Sequence, residues 1–125
     1  MATASRALKH FNLEKDSNVA ILDDPLDSNK IAVKGDPFGV SKGKKERAEW
    51  QCLRPHDHTK NSPCFTIKFI KNGCPFETNI FCADKHGHAV STPIRDDVQP
   101  SSYIYEYMVE TPDKSPLDPG GGVKP

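Results

Sequence analysis

The apolar residues of this chain come in short runs, and eleven prolines and eight glycines fall between those runs and seldom inside them. Proline lacks the N–H that a helix interior or a central strand needs, so it marks the ends of elements. The pattern favours a chain of short strands joined by turns over one built on helices.

The individual runs follow a period of two. Ala48, Trp50 and Cys52 share one face of the segment 46–52, with Arg47, Glu49 and Gln51 on the other. Phe65, Ile67 and Phe69 repeat this between Cys64 and Ile70, with Thr66 and Lys68 on the wet side. Such alternation describes half-buried strands. Further strands are expected at 19–22, 31–33 with Val40 resuming as an edge, 79–82, 90–95 and 103–109, where Tyr103, Tyr105, Tyr107 and Val109 share a face. Asp23-Asp24-Pro25, Gly35-Asp36-Pro37 and Asn72-Gly73 are turn signals. Leu117 to Val123 either adds a last edge strand or trails away. Leu8, Phe11 and Leu13 suggest a short amphipathic turn in an N-terminal arm over 1–16. The remainder, 17–125, is expected to be one all-β domain, an antiparallel sandwich of about seven short strands, with Greek-key topology as one form open to it, and a Gly/Pro-rich tail.

Composition narrows the function classes. A chain of 125 residues can bury one core, which leaves no room for a cleft between domains. Seventeen basic and seventeen acidic residues cancel, so bulk attraction to nucleic acid or an anionic membrane is not expected. No apolar run reaches the ~18 residues of a membrane helix. Met1 to His10 lacks the apolar core of a secretory signal, and a cytoplasmic protein with reduced thiols is the expectation.

Histidine carries the sharpest signal. His56-Asp57-His58 and His86-Gly87-His88 are two His-x-His pairs, more than five histidines scattered at random would give. Residues i and i+2 of an extended segment point the same way, so each pair can offer two imidazoles to one ion. Together His56, His58, His86 and His88 would suit zinc, copper(II) or nickel, with Asp57, Asp84 or Cys82 as further ligands or supports. The plainer alternative is four solvated histidines in polar loops.

Other candidates are weaker. Cys52, Cys64, Cys74 and Cys82 contain no Cys-x-x-Cys pair for a tetrathiolate zinc site; two disulfides in three connectivities are open, as are small buried thiols. Cys82 with His86 could pair as nucleophile and base only if a third group oriented them. Asp23-Asp24 and Asp96-Asp97 point apart on a strand and make no acid/base couple. Lys42, Lys44, Lys45 and Arg47 form a basic hairpin tip, either a contact for an acidic partner or an edge guard. The tyrosine stripe is core, or a stacking platform if one face is exposed.

The Trp-bearing strand Ala48-Glu49-Trp50, the strand Phe65-Thr66-Ile67-Lys68-Phe69, the step Pro75-Phe76, and Tyr103-Ile104-Tyr105-Glu106-Tyr107-Met108-Val109 followed by Leu117-Asp118-Pro119 resemble small bacterial cupredoxin-like, immunoglobulin-like sandwich domains. The resemblance covers about 30–125. It implies a sandwich, but the family's copper cluster of Cys, His and Met before the final strand is missing: no Cys or His follows Val98, and Met108 lies within a strand. Copper electron transfer is therefore not implied. The leading expectation is a non-enzymatic module that binds a protein partner through its end loops. A transition-metal protein built on the two His-x-His pairs is the alternative, and an enzyme using metal-bound water a third.

Overall fold

A computed structural model describes residues 17–55 and 63–125; the expected N-terminal arm, His56 and His58 lie outside the described residues. Ten strands follow in order: β1 (Asn18–Asp23), β2 (Ile31–Lys34), β3 (Phe38–Ser41), β4 (Glu49–Cys52), β5 (Thr66–Lys68), β6 (Ile80–Cys82), β7 (His88–Val90), β8 (Tyr105–Glu106), β9 (Met108–Glu110) and β10 (Gly120–Lys124). No helix occurs among the described residues, so the all-β expectation holds.

The strands form a four-stranded sheet ordered β2-β1-β4-β7 and two three-stranded sheets ordered β3-β10-β8 and β6-β5-β9. The last two share the segment 105–110. Its pairing with the C-terminal segment continues from Tyr105↔Gly121 through the Tyr107 N–H, which donates to the Pro119 carbonyl, to Val109↔Leu117. Two expectations are corrected here. Two of the three sheets are mixed, because β1 runs parallel to β4 and β3 parallel to β10, while β6-β5-β9 is antiparallel throughout. Parallel neighbours need a crossover, and the chain supplies it by leaving β2 for a different sheet at Gly35-Asp36-Pro37. Val40 therefore belongs to a new strand and does not resume β2.

The second correction concerns the tail, which is neither an edge nor trailing. β10 lies between β3 and β8, and Pro119 to Val123 are buried. Its glycines explain why a weak strand former holds a central place. A Cβ at Gly121 would stand 2.2 Å from the Phe38 ring, and one at Gly120 2.5 Å from the Ile104 side chain. The bare backbone of Gly121 makes room for the Phe38 ring, and that of Gly120 for Ile104.

One core receives side chains from all three sheets. Trp50 is its centre, packing edge-on against Phe38 at 5.9 Å and Tyr107 at 5.7 Å and stacking on Phe81 at 5.7 Å. Phe69 meets Tyr107 at 4.9 Å and Phe76 at 5.8 Å. Each such pair adds about 0.5–1.5 kcal/mol to the burial of its rings. The alternation read for 48–52 and 65–69 is observed, with Ala48, Trp50, Cys52, Phe65, Ile67 and Phe69 all buried. The stripe at 103–109 is only partly inward: Tyr107 and Val109 are core, Tyr105 is half-buried and Tyr103 is 48% exposed. The strand expected at 90–95 instead begins earlier, at His88, and leaves only the isolated bridge Phe76↔Ile94 in that region.

Candidate functional site: the disulfide-rooted end

β4 is entered from the 41–48 loop and left through Leu53, so the two loops stand at opposite ends of one strand. At the exit end, Cys52 and Cys64 are joined in a disulfide with a Cα–Cα distance of 6.4 Å. The reduced-thiol expectation is corrected for these two. Both sulfur-bearing residues are buried in the core, where β4 and the approach to β5 come together. Cys74 is free and buried, Cys82 free and exposed. Burial pushes the Cys74 thiol up, against the Phe76 N–H that bonds its sulfur.

Both roots of the loop closed by this bond are tied to the turn that carries the second histidine pair. The Cys52 N–H donates to the Gly87 carbonyl at 2.7 Å, and the Ala83 N–H donates to the Phe65 carbonyl at 3.0 Å. Asp84 shapes the turn: its Oδ1 accepts the N–H of His86 at 2.8 Å and of His88 at 3.0 Å. Those two N–H bonds, His88 first, hold the Asp84 carboxyl below the usual carboxylate range. Gly87 has φ +74°, the left-handed conformation that lets the chain reverse between the two histidines. His88 Nε2 lies 3.2 Å from Glu49 Oε1 on the neighbouring strand. Asp84 thus fixes the backbone of the turn through Oδ1.

Of the four expected metal ligands, the described residues include His86 and His88. No three His, Cys, Asp or Glu side chains among the described residues are gathered so as to hold a metal ion. Cys82 is on β6 with its sulfur 3.9 Å from Thr66 Oγ1, and no hydrogen bond among the described residues joins it to His86.

Arg54 is the polar residue that sequence reasoning passed over. Its side chain is 2% exposed, with Nε 2.8 Å from Asp23 Oδ1 and NH2 2.6 Å from Asp113 Oδ2. Desolvation opposes its charge, but the bonds to Asp113 and Asp23 outweigh it and raise the pKa. In return the Arg54 guanidinium lowers the Asp113 carboxyl. NH1 is buried without a partner among the described residues, as is Thr111 Oγ1. Arg54 fastens three segments, the end of β1, the exit of β4 and the 111–115 turn, at the end that bears the disulfide. The signal was present: Arg54 continues the inward phase of Ala48, Trp50 and Cys52.

Among the remaining candidates, Lys42, Asp97 and Asp24 have structural employment. Lys42 Nζ donates to the Asp96 and Val98 carbonyls, which ties the basic loop to 96–98. Asp97 holds Arg95 through two bonds of 2.9 and 2.8 Å, and Asp24 Oδ1 accepts the Leu26 N–H at 2.8 Å. No helix of the described residues is long and apolar enough to cross a membrane. Compared with known proteins, the chain matches no family model, no curated protein and no solved structure.

Proposed function

We propose that the chain is a non-catalytic cupredoxin-like sandwich that binds a protein partner through the end carrying the disulfide-closed loop and the Asp84–His88 turn. One observation carries this reading: Cys52 is covalently fixed to Cys64 and hydrogen-bonded to Gly87, so two polar loops spring from a single rigid footing. Binding residues concentrate on loops held by a firm scaffold, and here the scaffold is the core around Trp50. The loop before the last strand holds Asp113 and Lys114 where a copper cupredoxin would hold its ligands, which supports a binding role over electron transfer. A disulfide persists where thiols are not kept reduced, so the bond favours an oxidising compartment over the cytoplasm.

The test is a comparison of surface variants against a panel of immobilised proteins. Lys85→Glu with His86→Ser should abolish binding of whatever partner the wild type retains, while Lys44→Glu with Lys45→Glu at the other end should not. The opposite pattern would defeat the reading.

A transition-metal site is the second reading. It is favoured by the Cys52–Gly87 bond, because Cys52 stands four residues before His56 and Gly87 lies between His86 and His88. Zinc or copper would draw on His86 and on His56 and His58, with His88 available once it leaves Glu49. Native mass spectrometry with added zinc or copper(II) decides it: one ion per chain, lost in His86→Ser with His56→Ser, supports the site, and no adduct refutes it.

A further inference from the structure

Asn72 is the only asparagine in the chain followed by glycine. The pair reads from sequence as a tight turn, yet the Asn72 side chain has a second task. Asn72 Nδ2 donates to the Ile104 carbonyl at 3.3 Å, and its Oδ1 accepts the Glu106 N–H at 3.0 Å. The carboxamide therefore stands in for a peptide group of a neighbouring strand, latching the 70–76 loop onto the segment that leads into β8. The Tyr103 hydroxyl adds a bond of 2.8 Å to the Asn72 carbonyl.

We propose that Asn72 is a self-modification site whose conversion releases this latch. Both Asn72 and Gly73 are exposed, and Gly73, at φ +101°, offers no side chain to shield its nitrogen. Among the described residues the Gly73 N–H donates no hydrogen bond, so it is free to lose its proton to solvent base. The Gly73 nitrogen then attacks the Asn72 side-chain carbon. A C–N bond forms, ammonia leaves, and a five-membered succinimide results. Water adds to either ring carbonyl and breaks one C–N bond, giving an aspartyl or an isoaspartyl residue. The net change is amide plus water to acid plus ammonia, with no oxidant or reductant.

The product cannot hold the latch. A carboxylate still accepts from the Glu106 N–H, but the Nδ2 donor is replaced by an oxygen that faces the Ile104 carbonyl, acceptor against acceptor. Its charge also arrives beside Glu106, whose carboxylate already shares Lys71 with Asp118. The isoaspartyl form adds a methylene to the main chain and displaces the loop outright. Tyr103 and Ile104, both partly exposed, are then freed from the body of the fold. The two amide bonds slow the attack in the closed state, so conversion proceeds from transient openings and marks elapsed time.

The experiment incubates the full chain at mildly alkaline pH and follows two readouts: peptide mass mapping with isoaspartyl detection at each asparagine, and hydrogen exchange of the 103–106 amides. Conversion at Asn72 should exceed that at Asn18, Asn29 and Asn79 severalfold, and exchange at 103–106 should rise in step with it. Asn72→Asp should show the full rise at once, and Asn72→Gln, whose longer side chain closes a ring slowly, should neither convert nor lose protection with time. An Asn72 that keeps its amide while an isolated peptide of the same sequence converts would overturn the proposal. So would unchanged exchange at 103–106 in converted wild type.

Discussion

The Trp50 indole N–H donates to the Tyr107 hydroxyl at 3.1 Å in the interior, joining β4 of one sheet to the 105–110 segment shared by the other two. Tyr107 is 2% exposed and Trp50 wholly buried, so each is the other's polar partner. Tyr107→Phe keeps the ring but strands the indole N–H, and should cost about 1–3 kcal/mol in urea unfolding. Burial pushes the Tyr107 pKa far up, against the pull of the Trp50 bond. A folded pKa above the unfolded value means that stability is fully present below the unfolded tyrosine value of about 10 and declines as pH rises past it. Wild type should therefore lose stability above that pH more steeply than Tyr107→Phe; parallel curves would count against the buried hydroxyl.

Asp113→Ala should destabilise the chain by about 2 kcal/mol, because it leaves a buried guanidinium with Asp23 alone. Arg54→Met, which removes the buried charge altogether, should cost less. Asp113 has a lowered pKa through the Arg54 bond, so its contribution is present above the unfolded carboxylate value of about 3.9 and is lost as pH falls below it. The gap between wild type and Asp113→Ala, measured by thermal unfolding, should shrink on acidification.

Cys52→Ala with Cys64→Ala should lower stability by roughly 2–3 kcal/mol, as expected for removing a crosslink that closes a loop of this size. Denaturant titration of the double variant beside the wild type measures it. An unchanged midpoint would mean that the bond does not close the loop in the folded protein.

Alkylation of the native chain should modify Cys82 and spare Cys74. The first is exposed, while the second is buried with its thiol pushed up by desolvation. Mass mapping of the alkylated peptides reads the result, and equal labelling would contradict the placement of Cys74.

Much of the core was legible because its residues obey the period of two: Ala48, Trp50, Cys52, Phe65, Ile67 and Phe69 all point inward as their alternation requires. The central place of β10 was not legible, since three glycines carry no hydrophobic pattern and their value lies in what they leave out, a Cβ beneath Phe38. Parallel pairing escaped for a similar reason: nothing within Phe38–Ser41 specifies that its partner is 83 residues away. At the candidate site, the histidine pairs were visible as spacing. Of the Asp23–Arg54–Asp113 pin, the inward phase of Arg54 was legible, but its two partners were not, because they lie on segments remote in sequence.

The most direct test of the proposed binding end places a photo-crosslinking amino acid at Lys85, in the Asp84–His88 turn, or at Lys44, in the loop that enters β4 from the other end. A partner bound by the wild type should be captured from position 85 and not from 44. Capture from position 44 alone, or equally from both, would contradict binding at the disulfide-bearing end.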